Sequence, residues 1–169
     1  MPIFRGLGDK SGEAVALNNI GSIYDDLGDK QKALDFYNQS LLLRKAVGDK
    51  SGEAITLNNI GYIYQSLGDK QKALGYYNQS LNINKAIGDR TSEANALSNI
   101  GVVYSDLGDK QKALDFYFQS LPLRRAVSDR SGESTTLNNI GKVYADLGDS
   151  QKSLDYLEPI FDAQQICRR

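Results

Sequence analysis

The chain of 169 residues has no histidine, no tryptophan, one cysteine, one methionine and three prolines. Each shortage removes a class of chemistry. Without histidine the chain loses the commonest general base near neutral pH and the commonest metal ligand. Cys167 has no imidazole to take its proton, so a Cys–His nucleophile cannot be assembled within the chain. A single cysteine cannot close an internal disulfide either, which fits a reducing, cytoplasmic setting. No apolar run approaches the roughly 18 residues of a membrane span. Met1-Pro2-Ile3-Phe4-Arg5 lacks the apolar segment of a signal peptide. The formal charge is −1 and no lysine-rich run stands apart, which disfavours non-specific nucleic-acid binding. There is no phosphate-binding Gly-x-x-x-x-Gly-Lys and no zinc-ligand spacing. The expectation is a non-enzymatic protein with no metal or cofactor, whose partner is neither nucleic acid nor membrane.

What the chain has in abundance is repetition. Leu17-Asn18-Asn19-Ile20-Gly21 returns as Leu57-Asn58-Asn59-Ile60-Gly61 and Leu137-Asn138-Asn139-Ile140-Gly141, and with one change as Leu97-Ser98-Asn99-Ile100-Gly101. Leu-Gly-Asp closes the same segment at Leu27, Leu67, Leu107 and Leu147. A fixed period of about 40 residues implies stacked units, each touching its neighbours. Four units follow, at 9–48, 49–88, 89–128 and 129–169, after a stretch 1–8 that reads as the remnant of a preceding unit or as an N-terminal arm.

Within one unit, Asp9 is placed to cap a first helix from about Lys10 to Leu27. Leu17, Ile20, Tyr24 and Leu27 fall at three- and four-residue spacing and make one apolar stripe. The small residues Ala14 and Gly21 beside it admit a close neighbour. Gly28 stops the helix, because it takes a left-handed conformation without a Cβ clash. Asp29 caps a second helix from about Lys30 to Val47, with a stripe of Ala33, Leu34, Tyr37, Leu41 and Ala46 or Val47. Joints this short between helices roughly 25 Å long require antiparallel neighbours. The fold class is all-α, a row of about eight helices in hairpins. Tyr24, Tyr64, Tyr104, Tyr144, Tyr37, Tyr77 and Tyr117 fall at core spacing and read as packing. Asp25-Asp26-x-x-Asp29 reads as a cap plus a solvated pair, since hard cations need more oxygen ligands.

Leu17-x-x-Ile20-Gly21-x-x-Tyr24 followed by Ala33-x-x-x-Tyr37 resembles the tetratricopeptide repeat, a pattern that recurs in all four units. The period exceeds that family's 34, and Lys45 stands near the place of its usual closing proline. Both departures imply helices about a turn longer. Such long repeats are similar to those of kinesin light chains, spindle-orientation adaptors and many bacterial repeat proteins. The resemblance implies a right-handed α-α superhelix whose first helices line a concave groove.

Core positions of the first helix hardly vary between units, while others do. Val15, Ile55, Asn95 and Thr135 share one position, and Ser22, Tyr62, Val102 and Lys142 another. Asp25, Gln65, Ser105 and Ala145 share a third, with Asp26 beside it. These positions cluster opposite Leu17, Ile20 and Tyr24. The resemblance turns that side toward the groove. Asn19, Asn59, Asn99 and Asn139 recur at its border, beside Asn18, Asn58 and Asn138, although asparagine is a middling-to-poor helix former. Two readings stay open. The amides form a ladder that pairs with the backbone of an extended peptide, or one of each pair bonds between adjacent helices. Tyr62 is a candidate anchor.

Asp25, Asp26, Asp106 and Asp146 outnumber Lys142 on this side and suggest a partner segment of basic character. The chaperone-type version of the resembled fold grips a terminal carboxylate with lysine and arginine. The corresponding sites here read Asn18, Ser22, Asn59, Asn95 and Asn99, so that activity is not expected.

The last unit decays. Pro159 is expected to interrupt its second helix, and Pro122 poses the same problem in the third unit. Leu154, Leu157, Ile160 and Phe161 would be only half covered, which makes self-association through this end a second expectation, and a regulatory or sensor fragment of a larger protein is a third.

Overall fold

In the computed structural model, residues 9–166 are described, with side chains described over 9–158. Eight α-helices and no strand occur among the described residues. They are α1 (Lys10–Asp26), α2 (Lys30–Val47), α3 (Lys50–Ser66), α4 (Lys70–Ile87), α5 (Arg90–Asp106), α6 (Lys110–Ala126), α7 (Arg130–Asp146) and α8 (Ser150–Ile166). The chain divides into two compact units, Met1–Asp89 and Arg90–Arg169.

Aspartates start the helices. The Asp9 carboxylate accepts from the Gly12 N–H at 2.8 Å, and the Asp29 carboxylate accepts from Lys32 N–H at 3.1 Å. Asp49, Asp69, Asp109, Asp129 and Asp149 do the same in their turns. Gly28 closes α1 at a φ of 81°, with its N–H on the Asp25 carbonyl. Leu27 therefore lies past the helix as its cap residue and is 73% exposed, so it is not part of the apolar stripe.

In the first unit, α1 packs on α2, α2 on α3 and α3 on α4, and α1 also touches α3. Ala33, Leu34, Tyr37 and Leu41 of α2 bury themselves against Leu57, Ile60 and Ile63 of α3. Removing such side chains from water is worth about 1.5–3 kcal/mol each for the larger ones. Hairpins close tightly because a Cβ on Gly21 would sit 2.8 Å from the Tyr37 ring. Ser40 Oγ donates to the Ala14 carbonyl at 2.7 Å and ties α2 to α1. The expected stripe residues Ala46 and Val47 are exposed, and Arg44 is buried instead.

The second unit repeats the scheme, with α5 on α6, α6 on α7 and α7 on α8. Ala113, Leu114, Tyr117, Leu121, Ile140 and Val143 form its core. Neither proline ends its helix. α6 runs through Pro122, which is exposed, and α8 is one helical run across Pro159. The buried face of α6 (Ala113, Leu114, Tyr117, Leu121) offsets the lost backbone bond.

Near each turn a half-buried tyrosine stacks on the next helix. Tyr24 lies on Phe36 with centroids 5.3 Å apart, and Lys32 Nζ sits 5.1 Å from the Tyr24 ring. These rings pack the hairpin, as their spacing implies.

Candidate functional site

The exposed sides of α1 and α3 carry the candidate residues of the first unit. Successive helical residues differ by about 100°, so Asn18 and Asn19 part company. Asn19 is exposed, whereas Asn18 is buried. The Asn18 side-chain carbonyl accepts from Thr56 Oγ1 and from Asn59 Nδ2, each at 3.3 Å. Asn18 is thus a link between neighbouring repeats and is withdrawn from any ladder facing solvent. Asn59 is half-buried and shares that link. Asn58 is half-buried and has a polar partner.

Ser22 and Asp26 are exposed on α1, and Tyr62 on α3 is 52% exposed. Lys30 Nζ lies 6.0 Å from the Tyr62 ring and pairs with Asp25. The Tyr77 hydroxyl donates to Gln65 Oε1 at 2.8 Å. Burial pushes the Tyr37 and Tyr77 phenols further up from an ordinary value of 10.0 that already keeps them protonated at neutral pH. Gln65 therefore holds a buried tyrosine as well as lining the face. Val15 and Ile55 add an exposed apolar rim.

In the second unit the same side of α5 and α7 is more polar. Asn95 is exposed, but its side-chain carbonyl accepts from Arg124 Nη2 at 3.1 Å. Asn99, Asn138 and Asn139 are half-buried, as is Val102. Asn99 and Asp106 have polar partners of their own. Lys142 and Asp146 are exposed, and Asp146 pairs with Lys110. Two of the four acids expected to draw a basic partner, Asp25 and Asp146, are thus already matched by lysine.

The self-association set divides. Leu154 is 49% exposed, whereas its counterparts Leu34 and Leu114 are buried. Leu157 is half-buried and packs on Gly141, where a Cβ would fall 2.7 Å from its Cγ. It belongs to the α7–α8 hairpin, as Tyr37 belongs to α1–α2. The side chains of Ile160 and Phe161 lie outside the described residues.

Sequence reasoning missed a buried polar joint. Arg44 Nε donates to Ser40 Oγ at 3.2 Å and Nη1 to Asp49 at 2.8 Å. The signal was present in the letters. Gly52 follows Arg44 and Gly132 follows Arg124 at the same interval, while Asn84 is followed by Ser92. A Cβ on Gly52 would fall 1.4 Å from Arg44 Nη1, so arginine demands glycine there.

No group of three or more metal-ligating side chains occurs among the described residues, and no described helix is long and apolar enough to cross a membrane. Asp29 caps and Asp25 pairs with Lys30, which accounts for the acidic cluster at that turn.

A family model described as tetratricopeptide repeat matches residues 13–86, 52–126 and 92–165. A comparison with curated proteins by sequence finds no match. Among solved structures, BtubC from P. vanneervenii aligns with a TM-score of 0.83 at 23% identity, over 92% of this chain and 64% of that one. Aspartyl phosphate phosphatase F from Bacillus subtilis aligns with a TM-score of 0.89 at 12% identity, over 94% and 42%. A putative kinesin light chain with nearly identical repeats from Podosopora anserina gives 0.78 at 15%, over 94% and 78%. The chain spans less than two thirds of the length of the first two. At these identities the likeness concerns the fold.

Proposed function

The chain belongs to the tetratricopeptide repeat family, and from that premise we propose a non-enzymatic interaction scaffold that takes an extended polypeptide segment along the first helix of each repeat. Its setting is the cytoplasm, on the strength of the single cysteine. The observation that carries the reading is the exposed side of α1 and α3. It joins an amide, Asn19, to the amphipathic ring of Tyr62 and the apolar rim of Val15 and Ile55. Amides pair with any peptide backbone, which gives grip without sequence preference. A half-exposed tyrosine gives contact area at low entropic cost. The preferred segment has basic character. The preference is small, because Lys30 and Lys110 already neutralise Asp25 and Asp146.

The test uses peptides of about twelve residues selected from a random display library on the immobilised chain. Losing a central interface aromatic costs about 2 kcal/mol, so Tyr62→Ala should weaken the selected peptide about thirtyfold. Asn19→Ala should weaken it less, by about fivefold for one hydrogen bond. A basic peptide should outbind its charge-reversed twin. Unchanged affinity in both variants would sink the proposal.

A second reading is self-assembly, favoured by two unmatched faces. Ile23 is 57% exposed, whereas Ile63 and Val143 at the same position are buried, and Leu154 is exposed where Leu34 and Leu114 are buried. Heterologous contact between such faces builds rings or filaments. Light scattering across a concentration series should then show mass growing with concentration, and Leu154→Lys should abolish the growth.

A further inference from the structure

Arg44 and Arg124 hold the same place in their repeats, on α2 and α6. Their side chains are more than nine-tenths buried, at 8% and 7% exposure. Each donates from Nε to a serine hydroxyl at 3.2 Å and from Nη1 to the carboxylate that caps the next helix. They differ at Nη2. Arg124 Nη2 donates to the Asn95 side-chain carbonyl at 3.1 Å and to Ser98 Oγ at 3.2 Å.

The first unit offers neither acceptor. Val15 stands at the position of Asn95 and has no polar side-chain atom. Asn18 stands at the position of Ser98, and its carbonyl oxygen already accepts from Thr56 and Asn59. Arg44 Nη2 has no hydrogen-bond partner among the described residues. Yet no fully enclosed side-chain polar atom among them lacks a partner. This edge of the guanidinium therefore meets solvent. It lies over Gly52.

A largely buried guanidinium with one donor edge open to solvent offers a charge-assisted hydrogen bond to an arriving oxygen. Asp49 already balances its charge at Nη1, so a second carboxylate would meet that carboxylate as well. A neutral acceptor meets no such repulsion. The second unit shows the chemistry that fits, because there an amide carbonyl, that of Asn95, fills the place. We infer that Arg44 Nη2, whose equivalent in the second unit is filled by Asn95, is an open socket for one amide carbonyl oxygen of a docked polypeptide. The matching socket in the second unit is closed by the chain's own Asn95. Asn84, at the same position in the second repeat, has no guanidinium to offer. This socket rests on the proposed binding of an extended segment and adds where that segment is pinned.

The probe is a peptide selected from the random library on the wild-type chain, with affinity read by fluorescence anisotropy. Val15→Asn supplies the missing internal acceptor. It should weaken binding about tenfold while the melting temperature holds or rises. The pair Arg44→Asn with Gly52→Ser installs the residues the chain itself uses at 84 and 92, and should weaken binding to a similar degree. In a peptide series with one amide at a time replaced by an ester, a poorer acceptor, one position should lose affinity on wild type but not on Val15→Asn. If both variants bind as wild type does while Tyr62→Ala binds weakly, the socket is wrong and the groove reading stands. If Tyr62→Ala also binds as wild type does, or no peptide can be selected, both fail together.

Discussion

Ser128 holds a φ of 57° where Gly48 and Gly88 end their helices at 74° and 72°. A Cβ in the left-handed region costs about 1–2 kcal/mol, of which the greater backbone entropy of glycine returns part. Ser128→Gly should therefore raise stability by about 0.5–1 kcal/mol, read as a higher urea midpoint. A lower midpoint would mean that the Ser128 side chain contributes contacts exceeding its strain. Arg44 and Gly52 show the opposite coupling, in which a missing Cβ is what the neighbour requires. Both features are written in the aligned repeats. The second can be read only by comparing two columns at once, since neither residue is unusual alone.

Elements begin on carboxylates, and this sets how the protein meets acid. Asp29, Asp69, Asp109 and Asp149 are each held below their ordinary value of 3.8, first by the lysine three residues on and then by its backbone N–H. Asp129 is lowered by the Gly132 N–H and by Arg124. A carboxylate whose pKa is lower folded than unfolded stabilises the fold fully above the unfolded value. That contribution is lost as pH falls through the folded one. With no histidine to titrate, the melting temperature should be flat from about pH 8 down to about pH 5 and drop steeply below about pH 4. A marked change between pH 6 and 7 would contradict this account. The helices themselves were legible because caps, stripes and stop signals agree in every copy. Helix runs on past Pro122 and Pro159, where the sequence led us to expect an interruption or a kink, because propensity is a local quantity that the buried face of α6 overrides at Pro122. Leu27 was misread because it lies past the end of α1 as its cap, and Ala46 and Val47 because Arg44 takes the buried place in the last turn of α2.

At the scale of the whole molecule, the period announced stacked hairpins, and each of the two compact units has them. The site was less legible. Asn18 and Asn19 are neighbours on the border between core and solvent, and their sequence is symmetrical. Thr56, 38 positions away, decides that Asn18 turns inward. The lysines that neutralise Asp25 and Asp146 likewise come from second helices, outside the pattern that marks the face. The central claim is that the exposed side of the first helices receives a polypeptide. Its most direct test is an NMR titration of the labelled chain with a library-selected peptide. The account predicts saturable shifts concentrated at Val15, Asn19, Ile55, Asn59 and Tyr62. Shifts confined to Ile23 on α1 and Leu154 on α8, or none at saturating peptide, would contradict it.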